Sequence, residues 1–178
     1  MRESKVIRLN TPLTRKDVRK LRAGQMVSLS GVIYTARDRA HKKLVVLAEK
    51  KKPFPFDFEG NIIYYCGPNF KDGRVSSCGP TTSSRMDSFI EPLIKKGLRF
   101  TIGKGNRASF VRDLLRRYKG VYFVTYAGCA AYLSRFVKGL RCLAYPQLGA
   151  EAIFEFKVSE FPLIVAIDVY GKDFYSRL

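Results

Sequence analysis

Three short segments combine cations, hydroxyls and glycines at spacings that suit an anion. The first is Thr35-Ala36-Arg37-Asp38-Arg39-Ala40-His41. Thr35 and Asp38 have the spacing of a capping box, and Arg37 and His41, four apart, share a face if the segment is helical. An arginine and an imidazole would then both look toward a ligand. A capped surface helix with solvated charges, and a His41 with core duty, account for the same residues. The second segment, Cys78-Gly79-Pro80-Thr81-Thr82-Ser83-Ser84-Arg85-Met86-Asp87, places four consecutive hydroxyls before an arginine and a carboxylate. If a helix begins near Thr82, the first-turn hydroxyls and N–H groups converge with Arg85 into a fork for a carboxylate or phosphate. A hydroxyl-rich cap followed by an ordinary arginine is the plainer account. In the third, Ile102-Gly103-Lys104-Gly105-Asn106-Arg107, glycines on both sides of a lysine let the backbone approach a ligand, or simply make a turn. The spacing is neither that of a phosphate-binding Walker loop nor that of a dinucleotide fingerprint.

Together these segments offer Arg37, Arg85 and Lys104 as cations, with Thr81 and Thr82 as neutral hydrogen-bonding groups. Three cations suit a dianion. Ligands for a metal are another matter: Cys66, Cys78, Cys129 and Cys142 include no C-x-x-C pair, and His41 is the one histidine. That argues against a tetrahedral metal site or an iron–sulfur nest within this chain, and reads as four reduced, mostly buried thiols. The segments therefore resemble half of an active site.

All three lie at junctions where a strand gives way to a helix, the place where an α/β sheet presents helix N-termini and free backbone N–H groups. Periodicity predicts a short strand over 5–9, a basic helical turn capped by Thr14 and stopped by Gly24, a strand over 26–34 and a helix over 35–50. Strands over 61–66, 98–102 and 121–126 alternate with helices over 82–96 and 107–118, and a small-residue helix is expected over 128–137. The tail offers strands over 141–145, 152–158 and 163–168. Segments 53–58 and 69–77 read as surface excursions. With 178 residues, 46% of them hydrophobic, the chain is expected to form one layered α/β domain over 1–178.

No apolar run is long enough to cross a bilayer and no signal peptide is evident, so the expected location is the cytoplasm. Lys and Arg number 33 against 15 Asp and Glu, a net +18 that predicts anionic partners. Residues 1–52 hold fifteen Lys/Arg against four Asp/Glu.

At the same segments the sequence resembles the β region of class I iron–sulfur fumarate hydratases and the related L(+)-tartrate dehydratases. The resemblance rests on Tyr34-Thr35-Ala36-Arg37-Asp38 with Ala40-His41, on Gly79-Pro80-Thr81-Thr82-Ser83 with Arg85-Met86-Asp87, and on Ile102-Gly103-Lys104-Gly105, in family order. It continues through Val121-Tyr122-Phe123 and Ala150-Glu151-Ala152-Ile153 to Phe161-Pro162 and Ala166-Ile167-Asp168. The resemblance implies a swivelling β/β/α-type layered fold and, for a chain beginning at Met1, a free-standing β subunit. It implies an α subunit as partner, whose three cysteines hold a [4Fe–4S] cluster, and fumarate and L-malate as substrates. By the same resemblance Arg37, Arg85 and Lys104 clamp the dicarboxylate, Thr82 assists binding, and Thr81 is the catalytic residue that transfers the proton. Asp38, His41 and Asp87 stand behind them as candidate supports. The excess basic charge would then dock in part on an acidic α subunit.

Two other readings stand beside this one. L(+)-tartrate dehydratase is the alternative within the family, because half of the substrate contacts would come from the partner. A basic nucleic-acid-binding protein is the alternative from another class, but no binding motif supports it and the cations are scattered over every segment.

Overall fold

The alternation of apolar residues along the strands decides the architecture. In the computed structural model, which describes residues 6–177, β1 (Ile7–Asn10), β2 (Met26–Thr35), β3 (Ile62–Tyr64), β6 (Phe100–Gly103), β7 (Val121–Val124), β8 (Val137–Ala144) and β9 (Ile153–Ile167) form one seven-stranded sheet. The short strands β4 (Asn69–Lys71) and β5 (Arg74–Ser77) form a separate exposed hairpin. β1, β2, β3, β6 and β7 run parallel, and the long β9 returns antiparallel against both β7 and β2. The ladder therefore runs from β2 through β3, β6, β7 and β9 back to β2, a closed circuit.

Closure gives every strand an inner and an outer face. Ile62, Tyr64, Phe100, Ile102, Val121 and Phe123 point inward, where they meet Leu29, Ile33, Phe156, Phe161 and Val165. Their neighbours Ile63, Tyr65, Tyr122 and Val124 point outward and are covered by α2 (Asp38–Glu49), α3 (Asp87–Ile94) and α4 (Ser109–Tyr118). Each helix buries one stripe: Ala40, Leu44 and Ala48 on α2, Ile90, Leu93 and Ile94 on α3, Val111 and Leu115 on α4. A fully buried aliphatic side chain contributes about 1.5–3 kcal/mol, so these two apolar layers supply most of the driving force. The layered mixed α/β expectation agrees with this arrangement.

Local differences from the sequence reading have physical causes. α1 (Arg15–Arg19) is capped as expected, with the Thr14 side chain and Asp17 satisfying each other's backbone N–H groups. The expected capping box at Thr35 does not form: Arg37 is the N-cap, and the Thr35 hydroxyl accepts from Phe154 N–H across the sheet. The helix expected from Thr82 opens instead as a 3-10 turn over Ser83–Met86, and α3 begins at Asp87. The small-residue helix shrinks to α5 (Ala130–Ser134), because β8 begins at Val137. Strands expected over 152–158 and 163–168 are one strand of 15 residues that bends at Glu160, where φ is 55°, and accommodates Pro162. Segment 69–77 is a surface excursion, but segment 53–58 is not: Phe56 and Phe58 are buried, and Phe56 stacks on Tyr34 at 3.9 Å. Of the strand expected over 5–9, Lys5 lies outside the described residues.

Candidate active site

The carboxyl ends of the parallel strands β2, β3, β6 and β7 share one edge of the sheet; the segments of Arg37 and Lys104 leave from β2 and β6, and that of Arg85 returns to this edge after the β4–β5 hairpin. Arg37 follows β2 directly, in extended geometry at the head of α2. Its side chain runs past Gly67, just beyond β3, so closely that a Cβ there would lie 2.5 Å from Arg37 Nη1 and 3.0 Å from its Cδ. A glycine is required for that passage. Arg37 Nη2 lies 4.0 Å from Glu151 Oε1, while the other Glu151 oxygen accepts the Arg39 N–H at 2.9 Å. Arg37 Nε is buried without a partner.

Thr81 and Thr82 are laid across the ends of β3 and β6. The Thr81 N–H donates to the Tyr65 carbonyl at 2.6 Å, Thr82 bridges to Lys104, and the Ser83 N–H donates to the Lys104 carbonyl at 3.0 Å. Ser83 turns inward rather than toward a ligand, and its Oγ accepts the Lys104 N–H at 3.1 Å and lies 2.8 Å from the Tyr122 hydroxyl. Gly103 makes room for it, since a Cβ at that position would sit 1.9 Å from Ser83 Oγ. Thr81 is half-buried and Thr82 exposed. Thr81, Thr82 and Lys104 thus form one ledge at the strand ends.

Arg85 joins this ledge to the head of α2. Its Nη2 and Nε donate to the two Asp38 carboxylate oxygens at 2.7 and 3.3 Å, which leaves three N–H donors for a ligand. The fork expected to be free for substrate is therefore already engaged on one side. With Glu151 beside Arg37 as well, three cations face two carboxylates, and the edge carries less net positive charge than the three cations alone suggest.

The supporting residues take distinct places. His41 does not look out toward a ligand, because it falls on the buried stripe of α2 with Ala40, Leu44 and Ala48. The imidazole is buried, its Nδ1 bonded to the Arg37 carbonyl at 2.9 Å, and burial lowers its pKa to about 4. A carbonyl only accepts, so Nδ1 carries the proton and the neutral ring holds the first turn of α2. Asp87 accepts from Arg107 Nε, and its other oxygen accepts the Ala108 N–H at 2.8 Å.

Sequence reasoning missed Arg107. Its side chain is fully buried, bound to Asp87 and lying 5.5 and 5.1 Å from the ring centres of Tyr65 and Tyr122. Tyr65 carries the carbonyl that holds Thr81, and the Tyr122 hydroxyl donates to the Gly105 carbonyl at 2.7 Å. Arg107 thus lies against the supports of both Thr81 and Lys104. Glu151 was likewise not singled out. The aromatic pair reads as core in sequence, and Gly-Asn-Arg reads as a turn with a solvated charge, so no signal in the sequence points to the cluster.

The cysteines are divided two and two. Cys66 and Cys78 are buried, and burial pushes the Cys66 thiol well up and the Cys78 thiol up to about 12. Cys129 and Cys142 are exposed, contrary to the expectation of mostly buried thiols. Among the described residues no group of three or more His, Cys, Asp or Glu side chains could hold a metal ion, and no helix is long and apolar enough to cross a membrane.

Comparison with known proteins places this geometry in context. The family model for the Fumarase C-terminus matches residues 1–178. A putative L(+)-tartrate dehydratase subunit beta of Methanocaldococcus jannaschii is 40% identical over 93% of this chain and 89% of its own length. L(+)-tartrate dehydratase subunit beta of Escherichia coli is 33% identical over 95% of this chain and 86% of its own. Fumarate hydratase 2 of Leishmania major is 36% identical over 92% of this chain, a stretch that makes up 29% of that protein.

Proposed function

The chain belongs to the Fumarase C-terminus family, whose members here are hydro-lyases or their subunits, and from that premise we propose that it is the β subunit of a two-subunit enzyme for the reversible hydration of fumarate to L-malate. The observation that carries the reading is the arrangement at the strand ends, where the segments bearing Arg37, Thr81, Thr82, Arg85 and Lys104 meet at one edge of the sheet. L(+)-tartrate is the second reading. The 40% and 33% identical relatives bear that name, and the chain spans 89% and 86% of their lengths.

In this proposal Arg37, Arg85 and Lys104 hold the substrate carboxylates, with Asp38 fixing the angle of Arg85. The Arg37 Nε that is buried without an acceptor supports a ligand oxygen on that side. Thr81 Oγ exchanges the proton at the carbon beside a carboxylate: in dehydration it takes that proton, the carbon–oxygen bond on the neighbouring carbon breaks, and the hydroxyl leaves as water after protonation by a group of the partner. A threonine alkoxide is a costly base, so Lys104 and Arg85 beside it must favour its charged form in a site closed to water.

The [4Fe–4S] cluster that the family implies does not fit the residues of this chain. Among the described residues no group of three or more His, Cys, Asp or Glu side chains is placed to hold it, with Cys66 and Cys78 buried and Cys129 and Cys142 exposed outside any such group. In the proposed enzyme the cluster and the opposing acid belong to the α subunit.

The test is kinetic and uses the reconstituted complex. Thr81→Ala should lower kcat for fumarate by about 10² or more with a smaller effect on KM, the signature of lost proton transfer. Arg85→Ala should mainly raise KM, since each charge-assisted hydrogen bond contributes about 1.5–3 kcal/mol. An unchanged kcat removes Thr81 from the chemistry, and an unchanged KM removes Arg85 from the clamp.

A further inference from the structure

At the opposite end of the parallel strands the structure holds a second concentration of cations, away from the candidate dicarboxylate site. A cavity of about 230 Å³ opens between α1, the start of β6 and the end of α4, and Arg15, Arg19, Arg99, Arg117 and Lys119 line it with Tyr118 as a wall. Arg99 immediately precedes β6 and Lys119 closely precedes β7, so the cavity lies at the amino ends of the strands whose carboxyl ends carry Lys104 and the Thr81 ledge.

Five cations around one small space repel one another unless an anion joins them. Among the described residues, Arg99 meets Glu59 at 3.4 Å, and Arg15, Arg19, Arg117 and Lys119 form no ion pair. Helix dipoles explain part of the composition. Arg19 and Arg117 lie in the last turns of α1 and α4, and Lys119 follows α4, where positive charge is favoured. They do not explain Arg15, which occupies the first position of α1 where positive charge is disfavoured, or Arg99, which belongs to no helix. Arg99 Nε is moreover buried without an acceptor, a donor left over after the contact with Glu59.

We propose that this cavity binds a small phosphoanion of the diphosphate class. Five cationic side chains exceed what a single carboxylate needs, and guanidinium forks match phosphate oxygens in pairs. A space of about 230 Å³ suits a small anion. The site is independent of the dicarboxylate reading and stands or falls without it.

The experiment is calorimetric titration of the full chain with inorganic pyrophosphate at constant ionic strength, with sulfate as the competing anion. The expected result is one saturable site, weakened by about tenfold or more in Arg99→Gln/Arg117→Gln. A control that removes more charge elsewhere, Lys50→Gln/Lys51→Gln/Lys52→Gln, should leave the affinity within about twofold. Arg15→Gln/Lys119→Gln provides an independent loss if the first pair disturbs folding. Absence of saturable binding, full displacement by equimolar sulfate, or equal weakening by the control overturns the proposal, the last because it reports diffuse attraction to net charge.

Discussion

Arg37 depends on a residue that has no side chain. Gly67 is not in the left-handed region, so its backbone is one that any residue adopts, and what the glycine provides is space for the guanidinium. Gly67→Ala should therefore keep the fold and displace Arg37, raising KM for the dicarboxylate by about tenfold with kcat less affected, as steady-state kinetics of the complex will measure. An unchanged KM would mean that Arg37 does not reach the substrate. At this scale the sequence is informative where residue types are unusual: Arg37, Thr81, Arg85 and Lys104 stand out at their junctions and in the family resemblance, and the structure brings their segments to one sheet edge. It was silent on Arg107, Tyr65, Tyr122 and Glu151, whose roles exist only through contacts between segments far apart in the chain. Asp38 shows the same limit, since its spacing suggested a cap and its carboxylate instead meets Arg85.

The elements hold the ledge through one inward-facing hydroxyl. Ser83 serves Lys104 and Tyr122 together, and the space it occupies exists because position 103 is a glycine. Ser83→Ala leaves the Lys104 N–H without its acceptor in a part-buried place and should destabilise the chain by about 1–3 kcal/mol in denaturant unfolding. A change within about 0.5 kcal/mol would show that the hydroxyl does not tie the two loops together. Pattern found β2, α2 and α4 because each has one consistent buried face, and β6 and β7 because they are short apolar runs buried on both faces. It failed in two physical situations. Pro162 and the positive φ of Glu160 made one long strand look like two, and a 3-10 turn, which has a different pitch, hid the true start of α3. Closure of the sheet was not legible either, because pairing of β9 with both β2 and β7 depends on register rather than on local pattern.

For the whole molecule, a closed sheet fixes the strand ends and three loops bring cations and hydroxyls to one edge; in the proposed function the ligands for a cluster and the opposing acid come from another chain. The net charge of +18 exceeds what a dicarboxylate demands, and the cavity at the far end accounts for five of the cations. In the proposed function, catalysis needs this chain and its partner together. The most direct test follows the ultraviolet absorbance of fumarate with this chain alone and after anaerobic mixing with the cluster-loaded α subunit, and repeats the assay with L(+)-tartrate. The expected result is no turnover by the chain alone and hydration of fumarate in the mixture, with tartrate the poorer substrate; a complex that forms yet turns over neither substrate overturns the proposed function.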